Sequence, residues 1–143
     1  MHRAELILDA VKAALTGLVT TGQSVERGRV YPVEKLPGLS IEMGADNPTG
    51  ESINMAFQDR ALEVSITSYV KSLVNTETTS NAIRSEVYAA LMSDQQLGLY
   101  FVKYIQFSGD EAPQLSGDSD KRVGTQSMNY TIFYRHSLIS AEA

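Results

Sequence analysis

Along residues 4 to 18, AELILDAVKAALTGL, the apolar positions Leu6, Ile7, Ala10, Val11, Ala14, Leu15 and Leu18 recur at helical spacing, while Glu5, Asp9, Lys12 and Thr16 lie elsewhere. The spacing predicts one amphipathic helix, with Gly17 and Gly22 as places to end it and TTGQ as the turn that follows. The period then changes. RGRVYPVEKLPGLSIEMG holds two short β-type runs, Arg29 to Tyr31 and Leu39 to Met43. Pro32 and Pro37 belong at strand ends or in the connector, because proline donates nothing to a ladder. Residues 60 to 70, RALEVSITSYV, alternate most plainly: Leu62, Val64, Ile66 and Val70 point one way, Glu63, Ser65 and Thr67 the other. This is a strand with one buried face.

TETTSNAIRSEVYAALMSD opens on residues suited to an N-cap and repeats apolar side chains at Ile83, Val87, Ala90 and Leu91, which predicts a second helix ending near Ser93 and Asp94. Gly98 permits a change of direction before the β-rich run from Tyr100 to Phe107. There Phe101, Ile105 and Phe107 read as one side, interrupted by Lys103. SMNYTIFYRH closes the chain's pattern with Met128, Tyr130, Ile132 and Tyr134 on one face. Turn residues crowd 44–58 and 108–122, so both read as long polar loops. The order of helix, two short strands, long strand, helix and two strands is that of an α+β fold. We expect a mixed or antiparallel sheet of about four to five strands with two helices on one face, as a single domain over residues 1–143.

Composition narrows the chemistry. The 43% hydrophobic and 20% charged fractions are those of a globular domain, and no apolar run approaches the roughly 20 residues a membrane span needs. Arg3 is followed by Glu5 and Asp9 rather than by an apolar stretch, so a secretory signal is not expected and the protein reads as intracellular. The absence of cysteine excludes disulfides, thiolate nucleophiles and zinc-thiolate sites. With only His2 and His136, histidine-rich metal sites and most histidine-based triads are nearly excluded. A net charge of −5 gives no bulk attraction to phosphate backbones or anionic lipid.

Candidate sites are few. The acidic segment with Asp110, Glu111, Asp118 and Asp120 offers oxygen ligands, but GDSDKRVG puts Lys121 and Arg122 where a calcium loop needs further acceptors. Glu63 and Glu86 are a conceivable carboxylate pair with nothing to set their separation. His136 and Ser137 are successive residues and so cannot form a dyad on one strand face. GQSVERGRVYPVEKLPG matches no phosphate-cradling glycine pattern, and Arg27, Arg29 and Lys35 beside Tyr31 make a small basic cluster more in keeping with an interface. Seven tyrosines point the same way, since tyrosine is enriched where proteins meet. No catalytic, cofactor-binding or metal-binding residue is assigned. Arg29, Tyr31, Tyr69 and Tyr100 are the interface candidates.

Three segments together resemble the tail terminator proteins of long-tailed bacteriophages, the group that includes the lambda-type minor tail protein U. They are HRAELILDAVKAALTGL leading to RVYPVEKLPGLSIEMG, RALEVSITSYV followed by TSNAIRSEVYAALMSDQQLGL, and SMNYTIFYRH. The resemblance implies a structural virion protein and no enzyme. It implies a homo-oligomer, a hexameric ring, that caps the tail tube, stops its polymerisation and forms the joint to the head connector. The implied partners are the tail tube protein and the head–tail connector protein, with DNA only passing through the lumen and no membrane. The implied location is the virion tail or neck, reached from the host cytoplasm during assembly. Another neck or head–tail joining subunit, or a small hydrolase or ligand-binding α+β domain, are the alternatives.

Overall fold

The computed structural model describes residues 2–22, 25–27, 37–49, 57–71, 76–112, 114–116 and 123–137. Helix α1 spans Arg3–Leu15. His2 caps it: its Nδ1 accepts the Ala4 N–H at 3.0 Å and so satisfies one of the donors that the first turn leaves open. Ala4, Ile7, Leu8, Val11 and Leu15 form its buried stripe. Beyond Leu15 the chain reverses through Gly17 (φ 91°) and Gly22 (φ 57°), whose backbones are joined by a 2.7 Å hydrogen bond. Left-handed angles of this kind suit glycine, which is why the helix stops here.

The strands are β1 (Val25–Arg27), β2 (Gly38–Pro48), β3 (Phe57–Lys71), β4 (Val102–Asp110), β5 (Gln114–Ser116) and β6 (Val123–Ser137), with α2 (Thr76–Ser93) between β3 and β4. They form one mixed sheet in the order β1-β2-β3-β6-β4, with β5 also pairing to β6. Among the described residues the β1–β2 ladder is the parallel one and the others are antiparallel. The chain leaves β3 through α2 and lands on β4 one slot away, and β6 later fills that slot. β3 and β4 thus run parallel on either side of β6, a split crossover that locks the last strand between two neighbours.

The face lined by Leu39, Ile41, Leu62, Val64, Ile66, Val70, Met128, Tyr130, Ile132 and Tyr134 packs on α1 and on Ile83, Val87 and Leu91 of α2. Both helices therefore cover one side of the sheet, and the α+β expectation holds. Burying an Ile or Leu fully contributes roughly 1.5–3 kcal/mol, so a single charge at Ile66 or Ile132, each about 1% exposed or less, would break the core. On the opposite face Tyr69 and Val123 make a small second apolar cluster.

The predicted loops are shorter than the turn residues suggest. β2 runs through Pro48 and β3 begins at Phe57, while residues 50–56 lie outside the described part. The register of β2 shifts between Met43 and Asp46, so Gly44 and Ala45 form a bulge instead of starting a loop. A Cβ on Gly44 would stand 3.1 Å from Glu63 Cβ, a contact that only glycine avoids. In the second region, residues 108–110 belong to β4 and residues 114–116 form β5; residues 117–122 lie outside the described part. The run from Arg29 to Tyr31 also lies outside it, and the strand paired to β2 is Val25–Arg27.

Candidate assembly surfaces

β4 bonds to β6 along one side, and among the described residues no strand lies along the other. An unpaired edge of nine residues is a template for another chain, and proteins shape such edges with bulges and charge. Here there are two irregularities. Val102 pairs with Tyr134 and Tyr104 with Phe133, which leaves Lys103 as an extra residue, and a second shift between Phe107 and Gly109 involves Gly109 at φ 131°. The Lys103 that interrupts the pattern in the sequence is this bulge. Ile105 stays buried, but Phe107 is 40% exposed.

Aromatic side chains gather around this edge. Tyr88 of α2 meets Phe107 edge-on with centroids 5.8 Å apart, Phe107 leans on Tyr130 at 5.4 Å, and Tyr104 stacks on Phe133 at 4.7 Å. Tyr88, Tyr104 and Phe107 are all partly open to solvent, and rigid aromatics of this kind anchor interfaces at small entropic cost. At the other border, among the described residues, β1 pairs with β2 from Leu39 to Ile41. From Glu42 to Pro48 no described strand lies outside β2, and Met43 is half exposed there. The two borders differ in sequence and shape, so one could meet the other only head to tail.

Where β4 begins and β6 ends, charges are concentrated. Asp59 is buried and receives Lys103 Nζ at 2.5 Å and Arg135 Nε at 3.4 Å. Arg3, at the start of α1, donates to the Arg135 carbonyl at 2.5 Å and to the Tyr100 hydroxyl at 3.2 Å, and lies over the Phe101 ring. Arg3, Tyr100, Phe101, Lys103 and Arg135 line a cleft of about 420 Å³. A different buried contact sits across the sheet. The Tyr134 hydroxyl donates to Asp46, 2.9 and 2.8 Å from its two carboxylate oxygens, and Arg60 Nη1 approaches the same carboxylate at 3.4 Å. The β2 bulge makes this possible, because a one-residue shift turns Asp46 to the helix-facing side. Burial, and then the bond to Asp46, raises the Tyr134 pKa; burial likewise raises that of Tyr130.

Of the interface candidates, Tyr100 is 85% exposed beside Arg3, whereas Tyr69 is buried against the sheet with Val123. Arg29 and Tyr31 lie outside the described residues. Arg27, from the same basic cluster, is bound to Glu5 and Asp9 at 2.8 Å, and this pairing holds the Glu5 carboxyl below its usual pKa. Glu63 and Glu86 are not brought together: Glu86 accepts from the Thr20 amide at 2.9 Å and from its hydroxyl, while Glu63 stands exposed on the face away from the helices. Of the acidic segment, Asp110 pairs with Arg84 at 3.2 Å and has its pKa raised by burial, with Arg84 opposing the shift; Asp118 and Asp120 lie outside the described residues. Among the described residues no group of three or more His, Asp or Glu side chains is placed to hold a metal ion, and no helix is long and apolar enough to cross a membrane. Tyr88, Tyr104 and Arg3 were not singled out by pattern, since a half-exposed tyrosine or an arginine at a helix start reads like any other surface residue.

No protein-family model and no curated protein matches the sequence. Among solved structures the chain is similar to one in the virion of a native gene transfer agent particle, at 17% identity and a TM-score of 0.49, over 92% of this chain and 90% of that one.

Proposed function

We propose that this protein is a structural virion subunit that closes into a ring, caps a phage tail tube, ends its polymerisation and forms the joint to the head connector. The observation that carries the reading is the β4 edge: nine residues without an outer partner among the described residues, bordered by Tyr88, Tyr104 and Phe107. An edge of that kind docks on another chain, and a different border at β2 supplies the second half of a head-to-tail contact. The sequence resemblance to tail terminators gives the ring its place. The net charge of −5 suits a lumen through which DNA must slide without sticking.

Light scattering on the purified chain, alone and mixed with tail tubes, tests the reading. Ring-sized particles, or a stoichiometric cap bound to tube ends, are the expected result. A chain that stays monomeric and unbound under both conditions would sink it. Phe107→Asp, which places a charge among the edge aromatics, is expected to abolish association while leaving the far-UV circular dichroism unchanged, because the residue lies at the rim of the core.

A further inference from the structure

Arg3 is 4% exposed, and among the described residues no carboxylate lies within ion-pair distance of it. Its Nε is buried without a hydrogen-bond partner, and its other contacts are the Arg135 carbonyl, the Tyr100 hydroxyl and the rings of Phe101 and Tyr100, 4.7 and 5.5 Å from the guanidinium. Neutral acceptors and aromatic faces offset only part of the cost of taking a guanidinium out of water. Lys103 and Arg135 stand on the same cleft, and both contact Asp59. Among the described residues Arg3 therefore brings to this corner a positive charge that no carboxylate there meets, in a chain whose net charge is −5.

We propose that the cleft receives a carboxylate side chain of a second copy of this chain, docked by its β1 border, with Glu26 as the group delivered. This rests on the ring-subunit reading. Charge complementarity selects the occupant. Glu26 is exposed on β1, at the border of the sheet opposite β4, and among the described residues no partner holds it, whereas the neighbouring Glu5 and Asp9 are occupied by Arg27. A small cleft walled by Tyr100, Phe101 and Val102 around one buried guanidinium fits a single acid on an apolar arm; a row of phosphates needs a longer open track. Each copy carries the cleft at one border and Glu26 at the other, so the contact repeats head to tail.

Charge exchange tests the pairing. Association of the full chain, alone and on tail tubes, is measured by sedimentation for the parent, Glu26→Lys, Lys103→Glu and the combined variant. Each single reversal is expected to weaken association about tenfold or more, and the combined variant to recover to within about threefold of the parent. Both positions are exposed, and unchanged melting curves confirm folding; Lys103→Gln replaces the reversal if loss of the Asp59 contact lowers the melting temperature, and it too must weaken association. Single variants that assemble like the parent, or a combined variant that does not recover, overturn the pairing and leave the ring reading standing. A parent that assembles under neither condition overturns both.

Discussion

Tyr134→Phe removes one oxygen and tests how the β2 bulge ties the sheet together. The ring is fully buried, and phenylalanine keeps its volume, so no cavity cost enters. What is lost is a hydroxyl donor within 2.9 Å of both Asp46 oxygens, on a carboxylate whose side chain is only 15% exposed. A hydrogen bond to a charged group contributes about 1.5–3 kcal/mol. Arg60, 3.4 Å away, stays beside the carboxylate and softens the loss, so the lower half of that range is expected. At about 2–4 °C per kcal/mol for a domain near this size, the melting temperature should fall by roughly 3–9 °C. Urea unfolding at pH 7, followed by far-UV circular dichroism, gives the free energy directly, with Asp46→Asn and the double variant completing a cycle. The two single losses should overlap, giving a coupling energy of about 1 kcal/mol or more. A Tyr134→Phe variant within about 0.5 kcal/mol of the parent, or two effects that simply add, would refute the contact.

Alkali should destabilise the protein in a defined direction. Tyr130 and Tyr134 have pKa values raised above the ordinary 10.0 by burial, so above pH 10 the unfolded chain releases protons that the folded chain retains. Stability is therefore fully present below pH 10 and should fall by about 1.4 kcal/mol per pH unit for each tyrosine; Tyr134→Phe should roughly halve the slope in pH-dependent urea melts. Gly44→Ala brings a Cβ to 3.1 Å from Glu63 Cβ and 3.3 Å from the Glu63 carbonyl, and should cost about 1–3 kcal/mol by thermal melting.

Much of the fold could be read from periodicity because the strongest patterns coincide with the most buried elements. Leu62, Val64 and Ile66 alternate in sequence and line the core in space, as do Met128, Tyr130, Ile132 and Tyr134. The helix stripes of Ile7, Val11 and Leu15 and of Ile83, Val87 and Leu91 did the same at the longer period. Bulges leave no such periodic signal. Gly44, Asp46, Asn47 and Pro48 are turn formers by local preference, yet they occupy a ladder at its edge, where a missing donor and an extra residue are tolerated. Strand pairing then decided what no local signal holds, namely that Asp46 reaches Tyr134 and that Arg3 meets Arg135. Tyr100 and Tyr69 read alike in sequence, yet one is exposed and the other buried, because local pattern does not say which tyrosine the fold packs against.

The most direct measurement of the central claim is negative-stain electron microscopy of the purified protein, alone and added to tail tubes. Rings with a central hole wide enough for duplex DNA, seated one per tube at a single end, are expected, and Phe107→Asp should abolish them. Featureless small particles in both samples, with tubes left uncapped, would contradict that claim.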